Sequence, residues 1–368
     1  MTLYPKEKDM RSRRTFRMAV TAVAIIAAGL SSTVAGAQDT SWAGGDANAR
    51  AVMQLYATAK EAKQSEVVVY GGYSAIFKPL WEVFSARFPG MAVVPNPLSG
   101  AALVSKLDAE AASGQYGADI LMAGMTELLS TVAKDRAQSF RPPNLGALPP
   151  RYIDPQGRFV IQFADVFGVV YNTQKMTEAD LPKSIKDLTD PKHKGMIMDN
   201  PLAGALIALC WIELYNSGKI DPPMMKALRD NATTVPSVTP YYANLSQGSV
   251  KLIPWGSFSR YLRLKEAGAP VGFRAVPGMV VPLYGGTAML KGAPNPKMAQ
   301  LFQAWFVTPE AQMALVTKGY SYPLMPGVQT PPDWPKLQAL VDALVPIAPS
   351  DYMAVRTRFE DTVRKTLE

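Results

Sequence analysis

Residues 66–88 read EVVVYGGYSAIFKPLWEVFSARF. The first five are a β-branched run closed by Gly71-Gly72, which predicts a short buried strand followed by a turn. From Ile76 onward, Ile76, Phe77, Leu80, Trp81, Phe84 and Phe88 recur at helical spacing, so the turn feeds a helix over Ile76–Phe88. The same unit follows twice more. Met91–Val94 reads as a strand and Gly100–Ala112 as a helix with Ser99 at its N-cap; Ala118–Met122 is a strand and Met125–Lys134 a helix. Strands alternating with helices of this length imply an α/β fold with a parallel, doubly wound sheet.

The Pro-rich stretch Arg141–Pro150 interrupts this pattern, and Phe159–Phe163 and Asp165–Tyr171 then read as two strands. Further strands are expected at Met196–Asp199, Val250–Pro254, Val271–Ala275 and Tyr284–Lys291. The intervening and closing helices are expected at Ala203–Tyr215, Pro223–Arg229, Pro240–Leu245, Ser257–Ala267, Pro296–Phe306, Glu310–Lys318, Lys336–Leu344 and Asp351–Leu367. No repeat and no flexible linker separates them. The economical organisation is two lobes, residues 65–163 with 276–368 forming the first and 164–275 inserted as the second. Residues 38–64 read as a leader with a short helix at Ala47–Lys63. Open α/β sheets bind ligands beyond the carboxyl ends of their strands, so two facing lobes would enclose a small molecule in a cleft.

The amino end reads as an address. Lys6, Lys8, Arg11, Arg13, Arg14 and Arg17 precede an apolar run of about 13 residues, Met18 to Leu30, and small residues then follow to Ala35-Gly36-Ala37. That is the layout of a cleavable export signal over residues 1–37. Ser12-Arg13-Arg14-Thr15-Phe16 resembles a twin-arginine signal, and an ordinary secretory signal with paired arginines is the alternative. The 368 residues carry a net charge of +8, which would suit a polyanionic partner. Removing the six basic and two acidic side chains of the signal leaves 32 basic and 28 acidic residues, a net +4, with no basic run resembling a nucleic-acid footprint. One cysteine, Cys210, excludes an internal disulfide, and one histidine, His193, excludes a multi-histidine metal site. No G-x-S-x-G elbow is present, so a secreted hydrolase has no recognisable context here.

Several motifs then recur in a telling order. They are Val69-Tyr70 with Gly71-Gly72-Tyr73-Ser74, Phe88-Pro89-Gly90, Ser99-Gly100, Gly117-Ala118-Asp119-Ile120, and Gly168-Val169-Val170-Tyr171-Asn172-Thr173. Asp190-Pro191-Lys192-His193-Lys194-Gly195, Asp199-Asn200-Pro201, Lys265-Glu266-Ala267-Gly268 and Thr308-Pro309-Glu310-Ala311 complete the set. Over roughly residues 65–325 this series resembles the bacterial extracellular solute-binding proteins of ABC importers, in the branch of ferric-iron, polyamine, thiamine and phosphorylated-solute binders. The resemblance implies a type II periplasmic binding fold of two α/β lobes, a monomer in the periplasm with no cofactor and no catalysis. It implies delivery of a small solute to a membrane permease with its ATPase; a sensory binding protein presenting the solute to a receptor would share the fold.

The resemblance also bears on the solute. Iron members place two tyrosines just after the strand that here precedes Trp255, and the register set by Lys265-Glu266-Ala267-Gly268 puts Phe258-Ser259 there. The polyamine branch should present carboxylates, yet Asp199 is the only acid in the loops expected at the cleft. Those loops are rich in Ser, Gly and Asn and sit where helices begin, which suits an anion. The expected ligand is therefore a small organic anion bearing phosphate, phosphonate or carboxylate, with ferric iron or a polyamine- or thiamine-type solute as the alternatives. The expected contacts are Tyr73, Ser74, Ser99, Gly100, Ala101, Gly124, Asn200, Tyr242, Trp255, Ser257, Arg260 and Tyr284, with no metal ligand. Each has a plainer reading: a cap for Ser99, tight turns for the glycines, core packing for Trp255, and a solvated face for one of Arg260 and Arg263.

Overall fold

The computed structural model describes residues 39–202, 208–235, 238–341, 347 and 350–367. The expected export signal, and parts of the helices expected at Ala203–Tyr215 and Lys336–Leu344, lie outside them.

The strands, in chain order, are β1 Glu66–Tyr70, β2 Ala92–Asn96, β3 Ile120–Gly124, β4 Ala137–Gln138, β5 Val160–Asn172, β6 Met196–Asp199, β7 Ala232–Val235, β8 Leu252–Ser257, β9 Val271–Arg274, β10 Val281–Leu290 and β11 Tyr322–Pro323. One mixed sheet runs β11-β5-β10-β3-β1-β2, with β4 on β10 and with β8 and β9 on β5; β6 and β7 form a separate parallel pair. The parallel, doubly wound expectation holds for β1 with its neighbours β2 and β3, and for β6 with β7. It fails at β5 and β10, which pair antiparallel with each other and with all their other partners.

β5 is the main correction to the sequence reading. Two strands were expected around Ala164, and one continuous strand of 13 residues is found, buried along its whole length. A strand covered on both faces loses the alternation that marks strand boundaries, and VIQFADVFGVVYN has none. Two of its buried polar residues find partners on neighbouring segments, although the Gln162 amide nitrogen has none. Gln162 accepts from the Thr287 hydroxyl at 2.8 Å, and the Asn172 amide donates to the Leu245 carbonyl at 2.8 Å. The first half of β5 pairs with β10 and β11, and the second half with β8 and β9.

The apolar interior changes along the same strand. Val160 to Val166 lie in cores built from residues 42–166 and 288–334, apart from Phe258 and Val280, whereas Phe167 to Tyr171 join a core built from residues 167–283. The C-terminal helix Tyr352–Leu367, expected with the first lobe, buries Tyr352, Val355, Phe359 and Val363 in that second core. Their spacing of three to four residues makes one apolar stripe. The segment read as a leader is also part of the body. Its helix, Asp46–Glu61, contributes Ala49, Val52 and Ala59 to the core shared with the helix Pro296–Phe306. β7 was missed because ATTV is short and half-exposed.

The turn after β1 matters for the site. Gly71 has φ +127°, and a Cβ there would lie 1.9 Å from the Met122 carbonyl oxygen. Only glycine lets the chain pass β3 this closely and turn towards the strand ends. The chain then forms the short helix Tyr73–Ile76 and, after Phe77, the helix Lys78–Arg87.

Candidate functional site

A cavity of about 280 Å³ opens where the carboxyl ends of β1, β3, β6 and β8 meet the flank of β5. Seven of the expected contacts line it: Tyr73, Ser99, Gly100, Gly124, Tyr242, Ser257 and Arg260. Three helices of nine or more residues begin at its wall. Gly100–Ser113 starts after Ser99, Met125–Ala133 after Gly124, and Phe258–Glu266 after Ser257. Each start presents backbone N–H groups with no partner inside the helix and the positive end of a helix dipole. Ser99 occupies the N-cap position in an extended conformation, but its side chain makes no capping bond, which corrects the expected cap.

Ser257 is a capping residue, and it anchors the polar floor. Its hydroxyl accepts from the Arg260 N–H at 3.2 Å and donates to Asp165 at 2.7 Å. The Ser257 N–H donates to the Tyr242 phenol oxygen at 2.6 Å. The Ser259 hydroxyl and N–H also donate to Asp165, at 3.2 and 3.3 Å. Asp165 is thus a buried carboxylate held by two hydroxyls and one amide. Burial pushes its pKa up, while these donors and the nearby Arg260 charge pull against that. The Arg260 guanidinium lies 5.6 Å from the centre of the Tyr242 ring.

Two further acids border the cavity. Asp199, at the end of β6, accepts from the Val238 N–H, and burial raises its pKa to about 7. Glu127, in the first turn of Met125–Ala133, has one carboxyl oxygen enclosed without a hydrogen-bond partner, and burial raises its pKa as well. The expectation of a single acid is therefore corrected: three carboxyl groups and one arginine share the lining. Asp165 escaped notice because it sits inside a strand, and Glu127 because it sits inside a helix, rather than in a loop.

Four expected contacts lie away from the lining. Ser74 is wholly buried behind it, with its hydroxyl oxygen unpartnered. Trp255 is 1% exposed; its indole N–H donates to the Met279 carbonyl, and its ring packs 5.1 Å from Trp211. Its place is the core although Ser257, two residues on, lines the cavity, and the pairing of β8 with β5 slips register between Gly256 and Ile253. Tyr284 stands 5.7 Å from the ring of Tyr152. Asn200 is exposed and turns the chain by accepting from the Leu202 N–H. Ala101 falls within the helix Gly100–Ser113.

At the register where a tyrosine pair was sought, Phe258 packs in an aromatic cluster with Phe273 at 4.8 Å and Trp334 at 5.2 Å, and Ser259 faces the cavity. Burial raises the pKa of the two lining phenols, Tyr73 and Tyr242. Arg263 is not simply solvated; its guanidinium donates to the carbonyls of Ile76, Lys318 and Gly319. His193 lines a different cavity. Among the described residues, no helix is long and apolar enough to cross a membrane, and no group of three or more His, Cys, Asp or Glu is placed to hold a metal ion.

Comparison with known proteins follows from this geometry. The family model described as bacterial extracellular solute-binding protein matches residues 80–341. The major ferric iron-binding protein of Neisseria meningitidis serogroup B is 28% identical over 180 residues, 44% of this chain and 50% of that one. The Fe(3+)-binding periplasmic protein of Serratia marcescens is 27% identical over 231 residues, 58% and 66% of the two chains. The chain thus spans about half the length of the first of these curated relatives. Iron-bound HitA from Pseudomonas aeruginosa superposes with a TM-score of 0.69 at 21% identity, covering 82% of this chain and 99% of that one. AfuA from Actinobacillus pleuropneumoniae, with fructose-6-phosphate bound, superposes with a TM-score of 0.69 at 21% identity, covering 82% and 98%. At that identity the likeness shows the fold, which is the type II periplasmic binding fold.

Proposed function

The chain belongs to the bacterial extracellular solute-binding protein family, and from that premise we propose that it is the periplasmic receptor of an ABC importer, binding a small organic anion in the cavity around Ser257. It carries no catalytic role in this reading. The solute is handed to a membrane permease driven by its ATPase, with the receptor acting as a monomer. The lobes, divided near residues 164 and 276 as the sequence suggests, would close on the solute. The packing of the C-terminal helix supports counting it with the second lobe.

One observation carries the anion reading: three helix starts and Arg260 converge on one cavity. Helix-start dipoles and a guanidinium favour phosphate or carboxylate oxygens, although the amides of Ser257, Ser259 and Arg260 are already taken by Tyr242, Asp165 and the Ser257 hydroxyl. The three carboxyl groups refine it. Asp165 and Asp199 have donors within the protein, but one Glu127 oxygen has none, so the solute should carry a hydroxyl or ammonium group beside its anionic end. The ferric iron-binding relatives favour ferric iron as a second reading. Against it stand Phe258 and Ser259 at the tyrosine register, and two phenols whose burial opposes the phenolate form that Fe(III) prefers.

The test is native purification of the exported protein followed by mass spectrometry of whatever it releases, with thermal shift on the recovered compound. A bound solute should raise the melting temperature in proportion to the logarithm of its concentration over Kd. A coloured, iron-loaded preparation that bleaches on chelation would instead establish the second reading.

A further inference from the structure

A second cavity, of about 400 Å³, lies on the second core and shares no residue with the first. It is lined by the segments around residues 175–180, 192–196 and 249–252. Lys175, Lys192, Lys194 and Lys251 converge on it, against one acid, Asp180. Among the described residues none of the four lysines is in an ion pair. Asp180 is engaged elsewhere, since its carboxylate accepts from both the N–H and the hydroxyl of Thr177, at 2.8 and 2.7 Å. Asp190, next in line, accepts from the Lys192 N–H at the start of the turn Pro191–His193.

The floor of this cavity is His193, the only histidine in the chain. It is 4% exposed, and both ring nitrogens are enclosed without a hydrogen-bond partner. Buried polar atoms are almost always paired, so an unanswered imidazole beneath a ring of unpaired ammonium groups marks a place for a ligand. The electrostatics agree. Burial and Lys192 hold the imidazole below its usual pKa, and Asp190, Asp187 and Asp180 only partly oppose them. A neutral imidazole keeps one N–H to donate, and the lysines supply the compensating charge for an anion.

We propose that this cavity is a second anion site, taking a small, multiply charged oxyanion of the phosphate class, with Lys192 and Lys251 binding its charge above the His193 ring. The site stands apart from the cleft and from any assignment of the cleft solute.

Because His193 is the sole histidine, its Cε1–H resonance reports this site alone in protein produced without a histidine tag. Inorganic phosphate is titrated into ¹³C-histidine-labelled mature protein at fixed ionic strength, with chloride as the comparator. The expected result is a saturating shift with phosphate and none with chloride. The apparent affinity should fall more than tenfold in a Lys192→Gln/Lys251→Gln variant of unchanged melting temperature, and should persist in Arg260→Ala. A drift that phosphate and chloride share, or saturation that survives the double substitution, overturns the proposal. Sedimentation with phosphatidylglycerol vesicles forms a separate arm. Vesicle binding that needs the lysines, without a saturating response to free phosphate, would assign the patch to a lipid surface and defeat the proposed site.

Discussion

Asp199→Asn should make this protein more stable, and by an amount that grows with pH. Asp199 is 1% exposed, its carboxyl accepts one backbone N–H, and burial lifts its pKa from 3.8 to about 7. A raised folded-state pKa means that the native state holds the proton more tightly than the unfolded state. Between about pH 4 and 7 the native chain therefore binds more protons, and stability from this group falls as pH rises. The fall runs at about 1.4 kcal/mol per pH unit and levels off above the folded pKa. From pH 5 to pH 8 only the two units below about 7 count, so the wild-type chain loses about 3 kcal/mol that an asparagine, always neutral, does not lose. The asparagine oxygen still accepts from the Val238 N–H, so the geometry has a substitute. Urea unfolding of both proteins from pH 5 to 8 reads the difference directly. A gap between variant and wild type that stays constant over that range would refute the reasoning, because it would mean that Asp199 ionises freely in the native state.

Four other outcomes follow from the same structure. Arg260→Ala should weaken binding of the cleft anion at least about tenfold by calorimetry, the worth of a charge-assisted bond of roughly 1.5–3 kcal/mol; an unchanged Kd would remove Arg260 from the site. Ser259→Ala takes one hydroxyl donor from the buried Asp165 and should cost about 1–2 kcal/mol in urea unfolding at pH 7; a neutral result would mean that the hydroxyl contributes nothing to holding Asp165. Gly71→Ala, at φ +127° against the Met122 carbonyl, should lose more than about 2 kcal/mol beyond Gly90→Ala, where φ is +84° but no atom lies within 4 Å of a Cβ; equal losses would show that conformational strain alone, without the close approach to β3, sets the cost. Cys210 is fully buried, with burial raising its thiol pKa, so it should resist thiol reagents in native protein and react fully in urea; rapid native labelling would contradict its packing.

Local signals served the sequence reading well wherever a single element decides its own fate. The β1 run, Gly71-Gly72 and the helix starts at Gly100 and Met125 stand where spacing and turn chemistry put them. Ser257 was legible as the start of a helix, though its place is the N-cap one residue before the helix begins, and Arg260 as the charge three positions on. Asp165 was not legible, because nothing in QFADVF separates a structural strand acid from one that meets two serines ninety residues away. Trp255 shows the reverse error. It reads as a strand-end, ligand-stacking residue and shares the strand parity of Ser257, but β8 slips its register against β5 between Gly256 and Ile253, and the ring lies in the core. The antiparallel pairing of β5 with β10 was hidden for a related reason, since register between distant strands is a property of the assembled sheet.

β5 has a mechanical side as well. Its thirteen residues carry hydrogen bonds to four other strands, and its side chains change allegiance from one apolar interior to the other between Val166 and Phe167. Its long partner β10 has its register slip at Gly285/Gly286, where neither residue brings a Cβ to resist twisting. A rotation of one half against the other would load this ribbon as a torsion bar, with the glycine pair as its compliant section. Because both halves hang from the same strand, melting either one would strip partners from the other, and the chain should lose both together rather than come apart in stages.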